Sequence, residues 1–326
     1  MILYGSNGTY EYNENIQSEK NEGSLFVSFK GIHKELNRVV VIRKMQEPAD
    51  SISHNHFEII HTFLTQIHSI DEGICQVLDV CLYDGHLYIV RLYVEGISLQ
   101  KLLFTPDFPQ YRNSYFMLQI MLQTLSIIEK VHSCGIIHHS ICPQHIFIES
   151  NEIGKIDMMH PSIKLVAFEY ALLHFHSVIP FQKPPVVPTY SAPEVVLKYN
   201  NLISPASDLY SLGICLYECF TRKPAFDTEN KDLLLHTQVS YPLKKTWNVP
   251  QELFTIIQKA TYKHVFRKPP ARYTGSELEQ FLKVACSKRY LQASHMKNDI
   301  EAFFKTMAVT NKKTIAQTVS QFFRKR

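Results

Sequence analysis

Apolar and polar positions change period along the chain, and the changes predict its elements. Ser24–Phe29 and Arg38–Met45 are rich in β-branched and aromatic residues around the polar turn Lys34–Asn37, so residues 22–45 predict paired strands. Residues 55–68 place Phe57, Ile60, Phe63, Leu64 and Ile67 at helical spacing. Cys75–Tyr83 and His86–Val94 return to a strand pattern, split by the hairpin signal Asp84-Gly85. From Ser98 the texture is helical: Tyr115–His132, Asp208–Arg222, Gln251–Tyr262, Ser276–Ser287, His295–Met307 and Lys313–Arg324. Pro180, Pro184, Pro185 and Pro188 predict a loop between the first two, because proline fixes φ and donates no ladder hydrogen bond.

Composition narrows the class without naming it. The chain has 326 residues, 45% hydrophobic and 20% charged, which suits one large two-lobed globular domain or two small ones. A net charge of +4 is too small to argue for nucleic acid. The seven cysteines are odd in number and form no C-x-x-C pair, so reduced thiols in a cytoplasmic protein are expected. Met1–Asn7 has no positive, apolar leader pattern, and no run approaches the roughly 18 apolar residues of a membrane span. The terminal Phe322-Phe323-Arg324-Lys325-Arg326 reads as a solvated tail, so no membrane partner is expected.

Several motifs occur in one order. Residues 138–146 read H-H-S-I-C-P-Q-H-I; Ala167-Phe168-Glu169 follows; then come Tyr190-Ser191-Ala192-Pro193-Glu194, Ser207-Asp208-Leu209-Tyr210-Ser211-Leu212-Gly213 and Arg222-Lys223-Pro224-Ala225-Phe226. The set resembles the protein kinase superfamily: the loop H-R-D-x-K-x-x-N, the metal-binding D-F-G, Y-x-A-P-E, S-D-x-x-S-x-G and G-x-x-P-F. The resemblance covers residues 23–282. It implies an α+β, two-lobed protein kinase-like fold, with a β-rich N-lobe at 15–95, a hinge near Leu92–Gly96, a helical C-lobe at 96–287 and a helical extension at 288–326. The extension resembles a tail seen after some bacterial Ser/Thr kinase domains.

The resemblance also assigns roles. Glu194 and Arg272 are expected to pair and lock the activation segment. Asp208 is expected to bond backbone amides around His138, and His138 and Phe168 to make apolar contacts in the internal spine. Other positions depart from the pattern. Ser140 stands in place of the base Asp, His145 in place of the metal-binding Asn, and Ala167 in place of the metal-binding Asp. Alanine cannot ligate magnesium, a hard cation that wants oxygen. Arg43 takes the place of the phosphate-binding lysine, Lys44 faces away by alternation, and Glu58 is the expected helix partner of either. Glu169 is expected to point elsewhere. Of the glycine loop only Gly23 survives. Arg91 occupies an apolar gatekeeper position, with the nucleotide cleft as its expected outlet. Val187 and His139 replace a bridging threonine and a phosphate-reading arginine.

These departures predict a pseudokinase, not an enzyme, that regulates or scaffolds by binding a protein partner, with an active kinase one candidate. The loop at Ser140 and His145 resembles that of STRAD-type adaptor pseudokinases. No cofactor is expected, and magnesium–ATP binding is expected to be weak or absent. His138, His139, Cys142 and His145 have metal-ligand chemistry, but their spacing matches no common zinc pattern, so no metal is expected. The alternative is a divergent enzyme using the same cleft for phosphoryl or nucleotidyl transfer.

Overall fold

Strand β4 (Arg38–Met45) sits in the middle of the largest sheet, and its run of Val40, Val41, Ile42 and Arg43 is buried. The computed structural model describes residues 1–19, 25–49, 52–111, 113–151, 154–173 and 186–307. Gly23, Pro180, Pro184, Pro185 and the helix expected at Lys313–Arg324 lie outside the described residues. The chain divides into two units. Unit 1 comprises Met1–Lys101, Lys130–Asp157 and the described part of Ser162–Val187; unit 2 comprises Leu102–Glu129, Met158–Pro161 and the described residues from Pro188 onward.

Unit 1 is built on an antiparallel sheet of order β1-β2-β3-β4-β6-β5. Its strands are β1 (Ile2–Tyr4), β2 (Thr9–Glu19), β3 (Phe26–His33), β4, β5 (Val77–Tyr83) and β6 (His86–Leu92). The β3–β4 turn has Asn37 at φ 48°, and the β5–β6 turn has Asp84 at 47° and Gly85 at 70°. Successive positive φ angles at an Asp-Gly pair give the hairpin turn whose twist matches its strands. Helix α1 (His54–Gln66) packs on β5 and opens with the Ser53 hydroxyl accepting from the His56 amide.

The expected start at residue 15 is corrected, since it falls inside β2 and the sheet begins at Ile2. The segment after β1 is pinned to β5 by Asp79. Its carboxylate accepts from the Asn7 amide at 2.8 Å and the Tyr10 hydroxyl at 3.1 Å. A Cβ at Gly5 would fall 2.1 Å from the Asp79 Oδ2, so only glycine allows that approach. Leu3, Tyr10, Tyr12, Phe29, Val40, Ile42, Cys81, Tyr88 and Val90 form the core beneath these strands.

Two small sheets complete unit 1: β10-β9-β7, from Ile163–Leu165, Ile146–Glu149 and Gly96–Ser98, and β11-β8, from Leu172–Leu173 and Ile136–Ile137. They hold the loops 138–145 and 166–171 at their ends.

Unit 2 is helical. Between α2 (Leu99–Phe104), α3 (Ser114–Ser133) and α4 (Pro193–Val196) on one side and α6 (Lys231–Ser240), α7 (Gln251–Ala260) and α8 (Gly275–Ser287) on the other runs, in chain order, α5 (Pro205–Thr221). Every α5 residue after Pro205 is buried, so α5 is the unit's central helix. A Cβ at Gly213 would sit 2.7 Å from that of Ala260, so this glycine sets how closely α5 and α7 pack. Residues 293–307 form α9, with Met296 and Ile300 buried and Phe304 against Tyr115 at 4.4 Å between ring centres. The described part of the expected extension is helical and belongs to unit 2. Among the described residues no helix is long and apolar enough to cross a membrane.

Candidate active site

The candidate site lies wholly in unit 1. Arg43 on β4 is buried, and its guanidinium forms an ion pair with the buried Glu169. The rings of Phe26 and Tyr170 lie 5.2 and 5.8 Å from the guanidinium carbon and meet each other edge to face at 6.0 Å. Such a cation between aromatic faces gains from their quadrupoles once water is excluded. Lys44 turns the other way, to Glu14 at 3.3 Å, as alternation along the strand requires.

Two expectations are corrected here. Glu58 is exposed on α1 and is not the partner of Arg43. Glu169 does not point elsewhere but supplies the countercharge. The reason is local backbone shape. Ala167 is left-handed, at φ 71° and ψ 37°, and Phe168–Tyr170 form one 3-10 turn, which swings residue 169 round to face Arg43.

Arg91 on β6 is buried as well. It donates to the Leu92 carbonyl at 3.1 Å and lies 5.9 Å from the Phe147 ring. The expectation that the cleft is its outlet is corrected: a carbonyl and a ring face within unit 1 receive it.

The loop 138–145 is held by hydrogen bonds. His138 Nε2 lies 3.0 Å from the Val166 carbonyl, and its Nδ1 accepts from the Ser140 amide at 3.3 Å. The proton therefore sits on Nε2, and the ring meets Phe168 edge-on at 4.5 Å. His145 Nδ1 lies 2.6 Å from the Ser140 carbonyl and 3.1 Å from the Ser140 hydroxyl. A ring nitrogen that close to a carbonyl carries the hydrogen, so Nδ1 is a donor there. Burial pushes the His145 pKa down to about 3 against the opposing hydrogen bond to the Ser140 carbonyl, and the charges of Arg43 and Arg91 act with burial. His145 is thus neutral with its Nδ1 lone pair used, and it offers the Ser140 hydroxyl no base at that atom.

Magnesium and nucleotide phosphates need hard oxygen ligands and a free cation. Ala167 presents a methyl group, His145 presents imidazole, and the Glu169 carboxylate is tied to Arg43. These residues do not fit a magnesium–phosphate centre of the usual make. The loops 138–145 and 166–171 nevertheless each keep a strained backbone position, His139 at φ 64° and Ala167 at φ 71°. Non-glycine residues there cost about 1–3 kcal/mol each and persist where the surroundings over-determine them, most often at functional sites.

In unit 2, Glu194 and Arg289 pair at 2.8 Å with both side chains fully buried. The Ser207 hydroxyl donates to the same Glu194 oxygen at 2.7 Å. Arg272 is exposed, on the turn Pro270–Arg272, so the expected Glu194–Arg272 pair is corrected to Glu194–Arg289. Asp208 is buried in α5.

Comparison with known proteins places this arrangement. The model for the protein kinase domain matches residues 21–313, and the chain belongs to the protein kinase family. It is 32% identical over 240 residues to serine/threonine-protein kinase PrkC of Bacillus subtilis (strain 168), covering 71% of this chain and 34% of that protein. It is 25% identical over 222 residues to "Probable serine/threonine-protein kinase pknA2" of Bifidobacterium longum (strain NCC 2705), covering 67% and 28%. It is 28% identical over 219 residues to "Probable serine/threonine-protein kinase PknB" of Lactococcus lactis, covering 66% and 32%. The chain spans about a third of the length of these relatives.

These relatives correct the expectation that the chain is not an enzyme. That expectation rests on a few replaced side chains, Ser140, His145 and Ala167 among them, whereas relatives named as kinases match it across most of its length.

Proposed function

We propose that the chain is a regulatory member of the protein kinase family that acts by binding a protein partner, and that its cleft takes magnesium–ATP weakly. The observation that carries this is the buried Arg43–Glu169 pair beneath Phe26 and Tyr170. By the family resemblance, Arg43 stands where the phosphate-binding cation stands, and here its charge is already met from within the chain. Phosphate could use it only by displacing Glu169, and leaving one partner of a buried pair alone costs about 3–5 kcal/mol. The fold is meanwhile maintained, down to the fully buried Glu194–Arg289 pair. A maintained fold with its cleft cation held internally supports action through a surface.

Thermal unfolding with ATP, with and without magnesium, tests the reading. A ligand at a hundredfold excess over its Kd stabilises by about 2.7 kcal/mol. The wild type should show no shift of that size, and Glu169→Gln, which releases Arg43, should shift more than the wild type does. A full, magnesium-dependent shift in the wild type would overturn the proposal.

A second reading has its own support. The relatives are named serine/threonine-protein kinases, and His139 and Ala167 hold strained backbone of the kind that gathers at active sites. Under it the chain transfers a phosphoryl group in this same cleft. Incorporation of radiolabel from ATP that disappears in Arg43→Ala would establish it.

A further inference from the structure

The segment joining α6 to α7 reads Tyr241-Pro242-Leu243-Lys244-Lys245-Thr246-Trp247. Trp247, the one tryptophan of the chain, is 96% exposed, and Tyr241 is 55% exposed. Pro242, Lys244 and Lys245 are exposed with them. Single exposed apolar residues are ordinary; two aromatic rings flanking two lysines in seven residues are a pattern.

The segment is held, not loose. Leu243 and Val249 are buried. The Tyr217 hydroxyl donates to the Lys244 carbonyl at 2.9 Å, and Asn248 Nδ2 donates to the Phe220 carbonyl at 2.6 Å. The Thr246 hydroxyl donates to Asn248 Oδ1 at 2.7 Å. The backbone is thereby fixed to the C-terminal half of α5 while the Trp247 ring stands in water and the Tyr241 ring, partly exposed, lies 5.8 Å from that of His236. Between Asp232 and Glu252 the chain carries Lys244 and Lys245 and no acidic side chain.

We propose that this segment is a peripheral docking site for an anionic lipid surface. Tryptophan and tyrosine settle where headgroups meet acyl chains, with the ring in the apolar layer and the polar edge at headgroup level. Lysines beside them add attraction to lipid phosphates. An acidic protein would satisfy the lysines, but a protruding ring needs a shaped pocket there, whereas a bilayer yields to it. The expectation of no membrane partner rests on spans, a leader and the basic terminal tail, and a peripheral contact through residues 241–247 requires none of these. This inference is independent of the partner-binding reading.

Trp247 supplies its own reporter. The full chain is mixed with vesicles of equal parts phosphatidylcholine and phosphatidylglycerol, and separately with pure phosphatidylcholine. Trp247 emission should shift to the blue and the chain should sediment with the anionic vesicles only, and added salt should reverse both. The Lys244→Ala/Lys245→Ala variant should bind roughly 25-fold more weakly, at about fivefold per lysine. Trp247→Ala, followed by sedimentation, should lose most of the binding. Both variants change exposed positions and should unfold at the wild-type temperature. No shift and no sedimentation with anionic vesicles would overturn the proposal, as would equal binding by both variants. A shift with polyglutamate but not with vesicles would assign the surface to an acidic protein instead.

Discussion

A buried guanidinium is stable only where acceptors within the protein replace the water it loses. Arg43 and Arg289 are both answered this way, by Glu169 and Glu194. Glu194→Ala or Arg289→Ala should each destabilise the chain by about 3–5 kcal/mol, because each leaves a buried charge alone. Arg272→Ala should stay within about 0.5 kcal/mol, as exposed substitutions do. Urea unfolding of the three variants checks this, and a large loss in Arg272→Ala with none in Arg289→Ala would restore the pair expected from sequence. At this scale the alternation of β4 is enough to place Arg43 and Lys44 on opposite faces of the sheet. The partners are not legible, because each depends on a turn. Glu169 reaches Arg43 only through the left-handed Ala167, and nothing in the letters Ala-Phe-Glu marks that conformation. Arg289 stands between Lys288 and Tyr290, in a string that reads as the solvated end of a helix.

Elements are legible where their period is strong. The strands around Arg38–Met45 and His86–Leu92 follow from their β-branched and aromatic content and the Asp84-Gly85 turn signal, and a helix such as α7 from helical spacing. β1 and β2 escape that reading. β1 has three residues, and Thr9–Glu19 carries Glu, Asn, Gln and Ser among its apolar positions. What makes them strands is tertiary: Leu3, Tyr10 and Tyr12 enter the shared core, and Asp79 on β5 receives the connecting segment. Leu3→Ala should therefore cost about 2–5 kcal/mol, as for other fully buried leucines. Asp79→Ala should cost about 1–3 kcal/mol by leaving the buried Tyr10 hydroxyl without its acceptor. Hydrogen exchange should rise across residues 2–12 in both variants. Unchanged protection there would show that the strand is held by other means.

For the whole molecule, the pH dependence of stability sums every proton that folding releases or takes up. Burial pushes Lys263 down to about 7 from 10.5, with its ammonium donating to the Gln238 carbonyl at 2.5 Å beside the Phe226 ring. Between those values the unfolded chain binds a proton that the folded chain does not, so stability rises with pH. Burial raises Glu218 to about 7 from 4.5, and between those values the folded chain binds the extra proton, so stability falls as pH rises. His145, lowered to about 3 from 6.5, acts oppositely to Glu218, and the two largely offset each other over their shared range. Above 9.0 the thiols of the buried Cys81 and Cys219 and the half-buried Cys286, each raised to about 12, begin to oppose Lys263. The window from pH 7 to 9 is therefore governed by Lys263 among these groups. Denaturant stability should climb across it, by at most about 1.4 kcal/mol per pH unit for one proton. Lys263→Met keeps the apolar stem and removes the amine, so its profile should be flat over that window while its stability at pH 7 equals or exceeds the wild type. An equally steep climb in Lys263→Met would mean that the amine is already neutral, or charged at no cost, in the folded protein.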